Sequence, residues 1–469
     1  MTDSTDDAAM PPQQSPVEAG LPPLPDFGER STHIRYLVLL FVALAAASAY
    51  LTRHCLAVAN KSMQEELGIN NEQFGYLYSA FSLGYVLFQV PGGWVGQKFG
   101  TRQTMAAISV IWSGFTMVTA IVTTLPALIL ARFGFGLAQS GLIPNQSQVV
   151  RDWFPIRQRG TASSMVTMSM SIGGVASMGL TVWLMKYYHW RTVFQLYFLV
   201  GIVWSIAFYL IFRSKPKDHP WVNDRELADI SGGAISRGKS DAPPEPLNWG
   251  EILGSGNTWW LCIQGICRNV GYNLFVTYLP VLLQDAFDLD VQGAGYFTTW
   301  PLIGVVLGAL AGGRVVDIVL VKTRSHRLSR GAVGFIVLAL CGFFTAASVW
   351  SANGYTILGL TPAQQFAGCN AIAAFFFGIS APCAWAATID LGRDNTAVLT
   401  GFLNAAGNMA GVLITPLVGM LLDYLLQFEG SWIWLIHLHA AFHLAAAITW
   451  WPIRLPEPQL ESQSPESAV

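Results

Sequence analysis

Three arginines, Arg53, Arg132 and Arg268, each interrupt an otherwise apolar stretch of sequence. A guanidinium in hydrocarbon costs several kcal/mol at the least, so an ionisable residue there marks a functional site unless a partner neutralises it. Such a partner would be a buried acid or a set of helix carbonyls. No Asp or Glu lies near any of the three within those stretches. An anion from outside the chain is the simplest remaining source of negative charge. Arginine suits that task, because its planar fork makes two-point contact with a carboxylate. The chemistry indicated is recognition rather than bond-making. No acid, nucleophile and base converge in the apolar stretches, so an enzyme is not expected. No GxxxxGK[ST] loop is present to cradle nucleotide phosphates. The six cysteines (Cys55, Cys262, Cys267, Cys341, Cys369 and Cys383) form no CxxC pair, and neither a metal nor another cofactor is expected.

The elements that must hold these arginines are membrane helices. Charged residues make up only 12% of the 469 residues, about half the usual share for a soluble domain, while 52% are hydrophobic. Mean hydropathy is +0.43. The net charge of -2 offers no basic excess for nucleic acid. A spanning helix needs roughly 20 mostly apolar residues. Such runs begin near Ile34, Phe74, Thr104, Pro126, Gly160 and Thr192, then near Thr258, Gly293, Ala332, Ala363, Val398 and Trp432. The expectation is an all-α membrane protein with twelve transmembrane helices in two six-helix bundles. Its parts are a disordered tail (1–30), a first bundle (31–212), a linker (213–254), a second bundle (255–455) and a short tail (456–469). Apart from the three arginines inside the runs, only Lys61, Lys186 and Arg191 lie on the side opposite the tails. Every other Lys and Arg is on the tail side, which predicts that both termini and the linker are cytoplasmic.

The halves are related in sequence. GYLYSAFSLGYVLFQVPGGWVGQ (75–97) aligns without gaps to GYFTTWPLIGVVLGALAGGRVVD (295–317), with Gly75/Gly295, Gly84/Gly304 and Gly92-Gly93/Gly312-Gly313 matched. Parallel repeats of this kind belong to transporters that rock two halves around a central site.

On these residues the chain resembles the major facilitator superfamily. The loop GGWVGQKFGTRQ fits that family's gating-loop pattern at Gly93, Lys98, Gly100 and Arg102, with Gln97 where an Asp is usual; the second half keeps the acid as Asp317. YLTRHCLAVA, SAFSLGYVLFQVPGGW, ARFGFGLAQSGLIPN, CRNVGYNLFVTYLP and GFLNAAGNMAGVLITP resemble the anion:cation symporters, a group that includes hexuronate, galactonate and glucarate permeases, sialin and the vesicular glutamate transporters. The resemblance implies that Arg53 and Arg132 hold a substrate carboxylate, that Arg268 joins them, and that Tyr50 and Tyr85 line the site. Each tyrosine fits equally well as a core aromatic with a satisfied hydroxyl. Asn404 and Asn408 lie one turn apart and can share a face; Asn404 is the candidate for substrate hydroxyls, and Asn408 for a bond between helices.

Two departures bear on coupling. Where sugar-acid permeases carry acids beside the first arginine and seven residues after the second, this chain has Thr52 and Gln139. Neither titrates. His54 follows Arg53 and is a possible coupling group; His437, His439 and His443 fit packing positions better. The function expected is alternating-access transport of small organic anions, sugar acids first, with inorganic phosphate, amino-acid or dicarboxylate anions as rivals. A membrane sensor on the same scaffold would bind without flux. The partners expected are the small anion, H+ or Na+ as co-ion, and the bilayer of the plasma membrane (the inner membrane in a Gram-negative bacterium), with a monomer sufficing.

Overall fold

The computed structural model describes residues 30–231, 249–355, 359–425 and 431–457. Most of the two expected tails and the centre of the expected linker therefore lie outside the described residues. Twelve long helices are present among the described ones. The first six are α1 (Ile34–Leu67), α2 (Asn71–Phe99), α3 (Thr101–Ile121), α4 (Leu125–Trp153), α5 (Arg159–Met185) and α6 (Trp190–Ile211). The second six are α7 (Gly256–Phe287), α8 (Val291–Thr323), α9 (Arg327–Ala352), α10 (Pro362–Gly392), α11 (Thr396–Leu425) and α12 (Ser431–Ile448). Each starts close to where its apolar run indicates. Eight stretches are long and apolar enough to span a membrane on length and composition alone. α2 and α7 are long enough too, but polar residues dilute them, among them Gln89 in α2 and Gln264, Arg268, Asn269 and Asn273 in α7.

Local chemistry sets the helix ends. Asn70 caps α2 in a capping box with Gln73, and Asp290 caps α8 by accepting from the Gly293 N–H. These caps stand 220 residues apart, the same offset as the sequence repeat, so the duplication extends into the capping signals. Thr361 and Gln364 form a second capping box at α10, with Pro362 at its first position.

Packing repeats in the same way. α1 packs on α5, α2 on α4 and α3 on α6; six helices later, α7 packs on α11, α8 on α10 and α9 on α12. The halves meet where α2 packs on α11 and α5 on α8. Each seam helix is thus squeezed between its own bundle and the other, which explains the paired glycines. A Cβ on Gly92 would sit 2.6 Å from Gly141 Cα in its own half, and one on Gly93 would sit 2.6 Å from the Ala397 carbonyl oxygen in the other. Gly312 likewise faces Ile379 of its own half, and Gly313 faces Gly160 and Ser164 across the seam. Neighbouring helix positions point about 100° apart, so two consecutive glycines serve two neighbours.

Gly84 and Gly304 make the matching contact within each half, against Phe133 O and Ala371 O. Gly84→Val should therefore lower stability by about 1–3 kcal/mol through overpacking. Gly75→Ala, with nothing within 4 Å of its new methyl, should change the melting temperature in detergent little. Equal losses from the two would show that close approach is not what Gly84 provides.

The outer surface is apolar where a soluble protein would be charged: Leu130, Val175, Val203, Leu210 and Ile448 are all exposed. Such a continuous apolar exterior fits lipid rather than water.

Candidate functional site

α4 delivers Arg132 and, two turns later on the same face, Gln139. Arg132 is only 1% exposed, and its guanidinium lies 4.5 Å from the Phe135 ring centre and 5.5 Å from that of Phe81. Its Nε is buried with no hydrogen-bond partner. α1 brings Arg53 alongside. That guanidinium lies within 5 Å of three ring centres, Tyr50, Phe81 and Tyr85. Phe81 therefore stands against both cations. Contacts of this type are worth roughly 0.5–2 kcal/mol each, which is less than the cost of desolvating a guanidinium. Aromatic faces alone do not balance the charge.

Gln139 is locked between the two helices. Its Oε1 accepts from Arg53 Nε (3.2 Å) and Nη2 (3.1 Å), while its Nε2 donates to the Ala49 carbonyl (3.0 Å) and to Thr52 Oγ1 (3.3 Å). Donors face its oxygen and acceptors face its nitrogen, so the amide has one orientation. A protonated carboxylic acid could accept from Arg53 in the same way, but with its single O–H it could make only one of the two donations. Thr52 itself donates back to Ser48 O and Ala49 O. His54 turns its ring toward Tyr50 and toward Gly174 of α5.

The second half contributes from α7 and α11. Arg268 lies 5.3 Å from the Phe377 ring centre, and Tyr272, one turn on, stacks on the same ring. Arg268 Nε is buried without a partner. Across the seam, the Tyr85 hydroxyl lies beside Arg53 and Asn404, yet Asn404 Nδ2 meets no acceptor in hydrogen-bond geometry. Asn408 was expected to bond between helices. Instead its Nδ2 donates to Asn404 O and Oδ1 within α11, since a residue one turn on can reach back to its own helix. His439 and His443 pair through their Nε2 atoms at 2.9 Å inside the second bundle, away from the arginines of the first.

The gating-loop residues divide into two groups. Gly93 and Asp317 join the halves. Asp317 accepts from the N–H groups of Gly160 (3.0 Å) and Thr161 (2.7 Å), the open N-terminus of α5. Lys98, Gly100 and Arg102 stay within the first half. Lys98 lies over Trp94, Gly100 takes a positive φ of 85° between α2 and α3, and Arg102 donates to Tyr209 O. Gln97, in the usual acidic position, donates to Asp394 O across the seam at 2.8 Å.

Several participants were missed at the sequence level. Asp390 pairs with Arg159 across the seam (3.1 Å) and with Arg330 (3.2 Å), and Arg151 pairs with Asp394. A π turn over Arg327–Ala332 carries Arg330 into the interior. Phe81 could have been found from its i, i+4 spacing to Tyr85. The Asp390 cluster had no such local signal.

With this geometry in hand, the family model of the Major Facilitator Superfamily matches residues 42–413. The chain belongs to the major facilitator superfamily. This facilitator is accordingly a multi-pass membrane protein with two pseudo-symmetric six-helix bundles. It is 28% identical over 433 residues to a probable galactarate/D-glucarate transporter of Escherichia coli K12, covering 88% of this chain and 92% of the relative. It is 25% identical over 435 residues to the hexuronate transporter of the same strain, covering 91% and 96%. Among solved structures, a proton:xylose symporter bound to 6-bromo-6-deoxy-D-glucose shares the fold, with a TM-score of 0.67 at 12% identity, covering 90% of this chain and 96% of that one.

Proposed function

We propose that this facilitator moves small organic anions, sugar acids first, by alternating access around Arg53, Arg132 and Arg268. The observation that carries this reading is a set of intramembrane guanidiniums answered, among the described residues, by aromatic rings and a neutral amide rather than by a carboxylate. The distribution of Lys and Arg supports a cytoplasmic position for the side carrying Arg30 and Glu457. The inter-half bonds of Asp317, Asp390 and Asp394 lie on that side, so the proposed state is outward-facing. One chain supplies the whole site, and a monomer suffices. The relatives' substrates support the substrate class, and their role as transporters favours flux over sensing.

The test is counterflow of labelled glucarate and galacturonate in proteoliposomes. Exchange above protein-free vesicles is expected, inhibited more by hexuronates than by inorganic phosphate. Binding in detergent without any flux would mean a sensor, and inhibition by phosphate alone would move the substrate class.

The same site bears on the co-ion. With Thr52 and Gln139 in the usual acidic positions, counterflow should depend little on an imposed pH gradient. Anion entry opposes a negative-inside potential, so exchange, export or Na+ coupling are the modes that fit. Concentrative uptake driven by a pH gradient alone, persisting in His54→Ala, would refute this.

A further inference from the structure

The contacts of α2 with α11 form a row. Tyr85, whose ring lies against Arg53, begins it, and Gln89, Gly93 and Gln97 follow at four-residue intervals. Across the seam, Gln97 donates to Asp394 O at 2.8 Å, and a Cβ on Gly93 would meet Ala397 O. Between these rungs and the arginines, a Cβ on Gly401 would sit 2.6 Å from Gln89 O. Partner positions fall from Gly401 to Ala397 to Asp394 as those of α2 rise, so the helices run antiparallel and in close contact. At 1.5 Å per residue the row covers about 18 Å, from the cationic site to the bonded end of the seam.

One rung is unlike the others. Gln89 is 0% exposed, yet neither its Oε1 nor its Nε2 has a hydrogen-bond partner among the described residues. Thr400, beside Gly401, is 1% exposed and its Oγ1 is also unbonded, although Thr396 one turn earlier donates back to Arg393 O. A buried amide or hydroxyl left without a partner costs free energy that a hydrated one does not. A water trapped beside it would be confined until the helices part, which favours parting as well. The cost falls on the closed seam, because Gly401 lets α11 press directly on the Gln89 backbone and separation of the two helices readmits solvent. Ala309 stands at the matching position of α8, 220 residues on, so the shared bundle plan does not require an amide there.

We propose that Gln89 and Thr400 set the rate at which this gate opens: their polar atoms lose water when α2 and α11 close and regain it when they part. This rests on the reading of the chain as an alternating-access transporter. The two residues oppose the bonds of Gln97, Arg151 and Arg159, which hold the same side of the molecule shut. Bonds of that kind with an apolar contact behind them would favour the closed state at every turn of the cycle. The buried amide and hydroxyl bring the two states closer in free energy, as repeated switching requires.

The experiment replaces the polar atoms with apolar ones of nearly the same shape, in Gln89→Met, Thr400→Val and the double variant. Counterflow of labelled galacturonate in proteoliposomes should fall at least about tenfold in the double variant. Equilibrium binding of galacturonate in detergent should stay within about twofold of the parent, and the melting temperature should rise, since unpaired buried atoms have been removed. Weakening the seam on top of this, with Gln97→Ala and Arg151→Ala, should bring counterflow back to within about threefold of the parent. A lost substrate contact would not be rescued in that way. Parental counterflow in the double variant, a lower melting temperature, weakened binding, or a loss that the seam variants leave in place would overturn the gate role and leave anion transport standing. If the parent itself exchanges no anion, both readings fall together.

Discussion

Arg132→Ala is expected to abolish measurable anion binding while leaving the protein folded in the membrane. Arg132 is among the most buried polar residues in the first half, and its Nε has no protein partner. Its neighbours Phe81 and Phe135 also pack on each other, 5.7 Å apart, so their positions do not depend on the cation. Removing the guanidinium thus takes away an anion contact without stranding a protein acid. Loss of one member of a desolvated charge pair costs about 2–5 kcal/mol, or roughly 30- to several thousand-fold in affinity. Arg132→Lys keeps the charge but loses the fork, and should fall between. Arg53→Ala should be nearly as severe. If both arginines grip one acidic group, the double variant should cost less than the sum of the singles. Titration of galacturonate or glucarate by calorimetry checks all four, and parental affinity in Arg132→Ala would remove that residue from the site.

The second large effect comes from restoring acids. In the Thr52→Asp, Gln139→Glu double variant, one oxygen of the carboxyl introduced on α4 would take the place of Gln139 Oε1, opposite Arg53. The other would face the Ala49 carbonyl, now 3.0 Å from Gln139 Nε2. Two bare oxygens at that distance repel, so the new acid holds a proton until pH drives it off. Once ionised, it competes with the substrate for Arg53. Substrate binding then favours the protonated form, and above the group's pKa affinity should fall by about tenfold per pH unit. The parent should stay nearly flat between about pH 5.5 and 8, with Thr52→Asn behaving like it. A steep profile already present in the parent would point to a titrating group there, His54 first.

The helices were legible because lipid imposes a simple rule: each backbone group must be satisfied within an apolar run of sufficient length. The arginines were legible for the converse reason, since a charge inside such a run stands out. What did not show was register. The bond from Asn145 Nδ2 of α4 to Gly92 O of α2, for example, joins helices distant in sequence and has no local signal. The ion pairs of Asp390 and Asp394 were hidden for a related reason. Arg151, Arg159, Asp390 and Asp394 all sit at helix ends, where charges are ordinary, and the pairs Arg151–Asp394 and Arg159–Asp390 join residues more than 200 positions apart. Gln139 was recognisable as a departure from a pattern, but its four bonds required coordinates.

The seam bonds have a direction. Gln97, Arg151, Arg159, Gly160 and Thr161 of the first half donate, and Asp317, Asp390 and Asp394 of the second accept. The bundles share a common plan, yet along this seam they are no longer interchangeable. Within the second bundle Asp390 is also bonded to Arg330, so the acidic side of this seam is anchored from behind. Exchanging Arg159 and Asp390 would keep one pair of opposite charges but set the new arginine against Arg330, so the direction of the seam is fixed by the second bundle's own ion pair.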